Sequence, residues 1–220
     1  MDAPTGAPAP PLTDRYAGLT TPLTGRLFAF GPDDDRLDPG CLVTSAGPGR
    51  WSDAGAPAIY LPADPGVLLA EWGREVGVDG PVDVALWRVR VALDRVLDLR
   101  QPAVRSALDL PEAASWILDP DHTRNVAADA RYRGGVSGLV VPSAAFLDDP
   151  GRWSLVAFLE PGRPATDVVV AADRVGHYRW AAASRPRRRP ATPPRPTRPT
   201  GRWFGLGRGG RARPGGASVG

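Results

Sequence analysis

The 220-residue sequence contains no lysine, a single cysteine and no apolar run of the roughly 18 residues that a membrane span needs. One cysteine, Cys41, excludes an intrachain disulfide and a zinc site built from cysteines. The sequence also lacks a charged start followed by an apolar stretch, so we predict no signal peptide. We therefore expect a cytoplasmic protein that does not enter a membrane.

The positive charge is carried by 27 arginines, which are unevenly distributed. Residues 181–220 contain ten of them and no acidic residue. Residues 1–180 contain the other 17 arginines and all 24 acidic residues, which gives a formal charge of −7. The net charge of +3 therefore averages an acidic body and a basic tail.

The two ends of the chain are poor in residues that build a core. Residues 1–20 are short of large apolar side chains, and residues 181–220 are proline-rich and then glycine-rich. Such compositions are typical of disordered chain. We predict a disordered N terminus over 1–20, a folded body over 21–180 and a disordered arginine-, proline- and glycine-rich tail over 181–220.

The body mixes strand and helix patterns. Asp64, Pro65 and Gly77 are typical signals for the start and end of a helix over 65–76. Further helices are predicted over 102–108, 111–118 and 123–133, and strands over 26–30, 58–61, 82–91, 96–99, 138–141, 154–160 and 167–175. Because strands outnumber helices and cluster late, we predict an α+β fold with a mixed or antiparallel sheet.

Four segments of the body carry a resemblance to a known family. GRWSDAGAPAIYLPADPGVLLAE places an arginine before a tryptophan, a tyrosine in a short strand and a glutamate in an L-A-E helix, at Arg50, Tyr60 and Glu71. GGVSGLVVPSAAF and RWSLVAFLE follow later, and the first of them contains Ser143. Together with RLFAFGP, these segments resemble the RES domain family over roughly residues 25–165.

This resemblance implies an ADP-ribosyltransferase-like fold and an enzyme that degrades NAD. Members of the family cleave the nicotinamide–ribose bond by hydrolysis or phosphorolysis, or transfer ADP-ribose to a protein. NAD is then the substrate, and no cofactor is expected. Many members are toxins of toxin–antitoxin pairs, so the resemblance also implies a helix-turn-helix antitoxin as a partner.

The residue types suit that chemistry. A guanidinium such as that of Arg50 can pair with a pyrophosphate, and Tyr60 can stack on the nicotinamide or bond the ribose. Breaking an N-riboside develops positive charge on the ribose carbon, which the carboxylate of Glu71 would stabilise. Ser143 can fix the carboxamide or a ribose hydroxyl. By helix periodicity alone Glu71 and Glu75 both lie at the edge of the apolar stripe, and the family pattern selects Glu71.

The sequence also departs from the family. Members usually begin with a Tyr-Arg pair, where this chain has Phe28 and Ala29, and many have asparagine at the position of Ser154. Arg26 lies three residues from Ala29, an odd offset that points to the opposite face of a strand. An alternative is therefore a catalytically silent RES-like module that binds a nucleotide or a partner protein.

The tail and the two histidines are the remaining candidates for a binding site. Ten arginines with Trp203 and Phe204 have the composition of a nucleic-acid-binding segment, and equally that of a disordered, solubilising end. His122 and His177 have no partner pattern, so we expect them to be structural or exposed and predict no metal site.

Overall fold

A mixed sheet of seven strands forms the centre of the computed structural model, which describes residues 14–44, 47–75, 81–112 and 114–181. Its strands are β1 (Thr20–Gly31), β2 (Val43–Thr44), β3 (Ala58–Pro62), β4 (Pro81–Asp98), β5 (Gly138–Pro142), β6 (Trp153–Phe158) and β7 (Val169–Ala181). Its α-helices are α1 (Pro65–Glu75), α2 (Pro102–Ala107) and α3 (Pro120–Ala128). The predicted α+β fold with a mixed sheet is confirmed.

The described residues all belong to the first of two units, which spans Met1–Ala183. The second unit, Ser184–Gly220, lies outside the described residues, so the predicted disorder of the tail stays a prediction. No helix in the described ranges is long and apolar enough to cross a membrane.

The strands lie in the order β1-β4-β5-β6-β3-β2, and β7 also pairs with β4. The β4–β5 pair is parallel, and the other pairs are antiparallel. The 18-residue β4 replaces the two separate strands predicted over 82–91 and 96–99. It is continuous because β1 pairs with it from Ala85 to Leu97, while β7 and β5 share its other edge.

Helix α1 forms as its capping signals predict. The carboxylate of Asp64 accepts hydrogen bonds from the backbone N–H groups of Gly66 and Val67, at 2.8 and 3.1 Å. Pro65 occupies the first helical position, where its missing N–H is not needed. Val67 and Leu68 are buried, so the apolar stripe of α1 packs against the sheet.

The other predicted helices differ from the structure at their boundaries. Asp119 caps α3 with its side chain, so the helix begins before the predicted residue 123. It continues over Asp129–Arg133 as a wider π-helical turn that ends at Gly134. The helix predicted over 111–118 is a 3₁₀ turn at Ala114–Leu118.

Tyr16 anchors the described segment that precedes β1. Asp14–Tyr16 form a 3₁₀ turn, and the ring of Tyr16 is buried in the core. Its hydroxyl donates a hydrogen bond to the carboxylate of Asp129. Burial and this bond raise the pKa of Tyr16 well above its ordinary value.

Hydrophobic clusters cover both faces of the sheet. Ile59 and Leu61 of β3 belong to one cluster, and Ala58 and Tyr60 pack in the other. Because side chains alternate along a strand, the two clusters lie on opposite faces. A smaller third cluster places Phe30 and Leu68 against β4 beside α1.

The end of β4 is fixed by Asp98. Its carboxylate accepts hydrogen bonds from Nε and Nη2 of Arg100 at 2.9 and 2.8 Å. Burial by itself raises the pKa of Asp98, but the hydrogen bonds and the charge of Arg100 outweigh that effect. The pKa of Asp98 therefore lies below its ordinary value.

Candidate functional site

The candidate site lies at the end of the sheet where β3 and β5 end and β6 begins. Ser154, near the start of β6, is opposite Pro62 of β3 on one side and Val141 of β5 on the other. Helix α1 starts directly after β3, and Ser143 directly follows β5. This arrangement brings residues from distant parts of the sequence to one end of the sheet.

The carboxylate of Glu71 is held by two serine hydroxyls. Ser143 donates to Oε1 at 2.8 Å, and Ser154 donates to Oε2 at 3.1 Å. The exposed fractions of Ser143 and Ser154 are 0% and 3%, so both donors are buried. The hydroxyl of Ser143 also accepts a hydrogen bond from the backbone N–H of Ala145 at 3.2 Å. Each oxygen of the carboxylate thus has its own donor, which fixes the plane of the group.

The hydroxyl of Tyr60 anchors the loop that follows β2. It accepts a hydrogen bond from the backbone N–H of Trp51 at 3.0 Å and lies 3.1 Å from the hydroxyl of Ser52. A Cβ atom at Gly49 would overlap the phenol oxygen and lie 2.8 Å from the Ser52 hydroxyl. Glycine at position 49 therefore allows this close approach of the loop to Tyr60.

Arg50 is held from both its backbone and its side chain. Its carbonyl accepts a hydrogen bond from the hydroxyl of Thr123 at 2.5 Å, and its Nη1 donates to the carbonyl of Ile117 at 2.8 Å. Thr123 is fully buried in α3. The half-buried guanidinium is thereby positioned by the segment that leads into α3 and by α3 itself.

Two adjacent cavities share three of the predicted site residues, Arg50, Tyr60 and Glu71. The larger cavity, of about 630 Å³, is lined mostly by apolar side chains, among them Phe30, Leu42, Pro62, Leu68 and Trp72. The smaller cavity, of about 240 Å³, is lined in addition by Arg74 and Ser154. The shared residues therefore lie where a mostly apolar cavity meets a more polar one.

The structure places all four predicted site residues in one region. Ser143 does not line either cavity, and it contacts the site through Glu71. The side chain of Glu75 lies outside the described residues. Ala29, at the position of the family's arginine, lines the larger cavity with a methyl group, whereas Arg26 is exposed.

Two residues at the site were not predicted to have a role. Ser154 was noted only as a departure from asparagine, although a polar residue in the buried strand WSLVAF is itself a signal. Arg74 lies three positions after Glu71, a spacing that places two side chains on the same face of a helix. Both line the smaller cavity.

The two histidines lie elsewhere. His122 is half-buried and packs edge-on against Trp116, with 5.4 Å between ring centroids. His177 is exposed on β7, and its Nε2 lies 3.7 Å from Asp33 and 3.9 Å from Asp83. Within the described ranges, no group of three or more His, Cys, Asp or Glu residues could hold a metal ion.

Comparisons with known proteins identify a family and a structural neighbour. The family model described as the RES domain matches residues 32–181. No curated protein matches the chain. A chain of the M. tuberculosis MbcT–MbcA toxin–antitoxin complex is similar in structure, with a TM-score of 0.46 and 18% sequence identity. The likeness covers 74% of this chain and 87% of that chain.

Proposed function

The chain belongs to the RES domain family, and we propose that it is an enzyme that breaks the nicotinamide–ribose bond of NAD. The observation that carries the proposal is the carboxylate of Glu71, which two buried hydroxyls hold at the junction of two cavities. A carboxylate fixed in this way does not need to reorganise when positive charge develops beside it.

The reaction requires a charge stabiliser more than a strong nucleophile. As the bond from the ribose carbon to the nicotinamide nitrogen breaks, its electron pair leaves with the neutral nicotinamide, and positive charge develops on the ribose. Glu71 stabilises that charge, as a carboxylate does in glycoside hydrolysis. The acceptor that completes the reaction is water, inorganic phosphate or a protein side chain.

Binding is assigned to residues around Glu71. Arg50 pairs with the pyrophosphate of NAD, because a guanidinium offers several donors in a fixed plane. Tyr60 lies between the apolar and the polar cavity and contacts the nicotinamide ring or the ribose. Ser143 acts through Glu71, because its hydroxyl donates to that carboxylate.

The test of this function is incubation of the purified full-length chain with NAD, with and without phosphate, followed by product analysis. Free ADP-ribose indicates hydrolysis, ADP-ribose that carries a phosphate on the anomeric carbon of its terminal ribose indicates phosphorolysis, and label on protein from labelled NAD indicates ADP-ribosyl transfer. Intact NAD in every arm, with no labelled protein, would refute the proposal.

Glu71→Gln keeps the shape of the side chain and removes its charge. We expect it to lower kcat by about a hundredfold or more with little change in KM, because the lost interaction forms only in the transition state. Glu75→Gln, one turn later on α1, is the matched control. A fall in kcat in Glu75→Gln with no fall in Glu71→Gln would show that the charge is stabilised by Glu75 and that the assignment to Glu71 is wrong.

We propose further that the enzyme is a toxin whose partner is a helix-turn-helix antitoxin. Depletion of NAD arrests growth, so expression of the chain should stop growth of a host cell. The Glu71→Gln variant should not do so. A stable complex with the product of a neighbouring gene, together with restored growth on co-expression, is the expected result for the partner.

A second candidate function is favoured by Ala29. At this position a methyl group lines the larger cavity where family members usually carry an arginine. A catalytically silent module that binds a nucleotide or a partner protein would tolerate that loss. It would bind NAD without consuming it, and the incubation described above separates these two functions.

A further inference from the structure

Two arginines line the smaller cavity. Arg50 lines both cavities, and Arg74 lines the smaller one. Arg50 comes from the loop after β2 and Arg74 from α1, so two separate elements bring positive charge to the same 240 Å³ space.

The ion pairs between described side chains include neither Arg50 nor Arg74, and the carboxylate of Glu71 lines the same cavity as both. Each guanidinium donates instead to a backbone carbonyl, Arg50 to Ile117 at 2.8 Å and Arg74 to Ala144 at 2.6 Å. A guanidinium has five N–H donors, so each retains donors for a ligand.

We propose that the smaller cavity is a phosphate-binding subsite in which Arg74 acts together with Arg50. The inference deepens the proposed function, since it assigns a second phosphate-binding residue to the same site. Two guanidinium groups match the charge of a phosphate dianion and can each bind it with paired N–H donors.

The carboxylate of Glu71 also lines this cavity. Its two oxygens accept hydrogen bonds from Ser143 and Ser154, which hold it in place. A phosphate dianion in the same space would be repelled by this carboxylate, and the two anions together carry three negative charges. One arginine would offset one of these charges, whereas Arg50 and Arg74 together offset two, which reduces the repulsion that phosphate meets beside Glu71.

The phosphate can come from two sources, the pyrophosphate of NAD or free inorganic phosphate that accepts the ribosyl group. Calorimetric titration of the full-length chain with ADP, inorganic phosphate and adenosine distinguishes them. ADP carries a pyrophosphate, and adenosine is the phosphate-free reference. Weaker binding of ADP alone in a variant assigns the subsite to the pyrophosphate, and weaker binding of phosphate alone assigns it to the free anion. Weaker binding of both shows that the same subsite accepts phosphate from either source.

The variants are Arg74→Gln, which keeps a polar side chain but is uncharged, and Arg74→Lys, which keeps the charge without the planar fork. We expect Arg74→Gln to weaken binding of a phosphate-bearing ligand about tenfold or more, as for loss of a hydrogen bond to a charged group. Arg74→Lys should be intermediate, and adenosine binding should not change. Arg26→Gln, at an exposed arginine near Ala29, is the matched control.

Equal affinity of wild type, Arg74→Gln and Arg26→Gln for both ADP and phosphate would overturn the inference. So would equal weakening of adenosine and ADP, because that pattern indicates a distorted cavity. In the NAD assay the expected change is a higher KM for NAD or for phosphate with kcat retained. If wild type consumes no NAD, the proposed function fails, while the titrations still decide whether the subsite exists.

Discussion

Removal of the serine hydroxyls that hold Glu71 should lower stability and activity by different amounts at the two positions. A hydrogen bond to a charged group contributes about 1.5–3 kcal/mol. Ser154 lines the smaller cavity, so water can replace its hydroxyl in Ser154→Ala, and we expect a loss near the lower end of that range. Ser143 is fully buried, lines neither cavity and also accepts from the N–H of Ala145. Ser143→Ala should therefore cost about 1 kcal/mol more than Ser154→Ala.

The same loss affects catalysis through the orientation of the carboxylate. A contribution of about 1.4 kcal/mol to the transition state is a factor of ten in rate, so kcat for NAD should fall about tenfold in Ser154→Ala. Ser154→Asn supplies an amide donor in place of the hydroxyl and should retain most of the activity.

Urea unfolding gives the stability changes, and initial rates with saturating NAD give kcat. In double variants, adding Ser143→Ala or Ser154→Ala to Glu71→Gln should not lower the residual rate further, because the side chain that the serines hold has then already lost its charge. Wild-type kcat in both alanine variants, or a larger stability loss at Ser154 than at Ser143, would refute this account of the site.

Three further changes give separate expected outcomes. Gly49→Ala should displace the phenol of Tyr60, lower stability by about 1–3 kcal/mol and raise KM for NAD, whereas Gly25→Ala, whose added Cβ meets no atom within 4 Å, should do neither. The pKa of Asp98 is lowered in the folded state, so its stabilising contribution is present above the unfolded pKa of about 3.9 and is lost as the pH falls through the folded value. The free energy of unfolding, measured against pH, should therefore show this loss of stability in acid in wild type and not in Asp98→Asn. Truncation after Ala183 should leave the melting temperature and the NAD activity unchanged, and a large drop in melting temperature would show that the tail docks on the body.

Helix α1 could be predicted from the sequence because its determinants are local. Asp64 and Pro65 are adjacent to the residues that they cap, so a short window contains the whole signal. The assignment of Glu71 needed the family pattern, since helix periodicity places Glu75 equally well at the edge of the apolar stripe.

The features that could not be predicted depend on residues far apart in the chain. β4 continues across residues 92–95 because β1 pairs with it on both sides of a register shift, at Ala92 and Leu93 and again at Val96 and Leu97. The paired residues of β1 lie more than 60 positions earlier in the chain. The contact of Ser154 with Glu71 joins positions 83 residues apart. A serine in an apolar strand indicates a buried polar role, but the sequence around it does not indicate that Glu71 is the partner. The role of Arg74 depends in the same way on Arg50, because the shared cavity forms only when α1 packs beside the loop after β2.

The long separations around Glu71 also determine when the site can exist during synthesis. The two hydroxyls that hold its carboxylate lie 72 and 83 residues further along the chain. A chain is made from its N terminus, so a ribosome-bound product that ends before β6 contains the glutamate without its second donor and without the strand that joins β3 to β5. Truncated products that end before β6 would lack the assembled site. For an enzyme proposed to destroy the NAD of the cell that makes it, aborted synthesis is therefore harmless, and only the completed fold is dangerous.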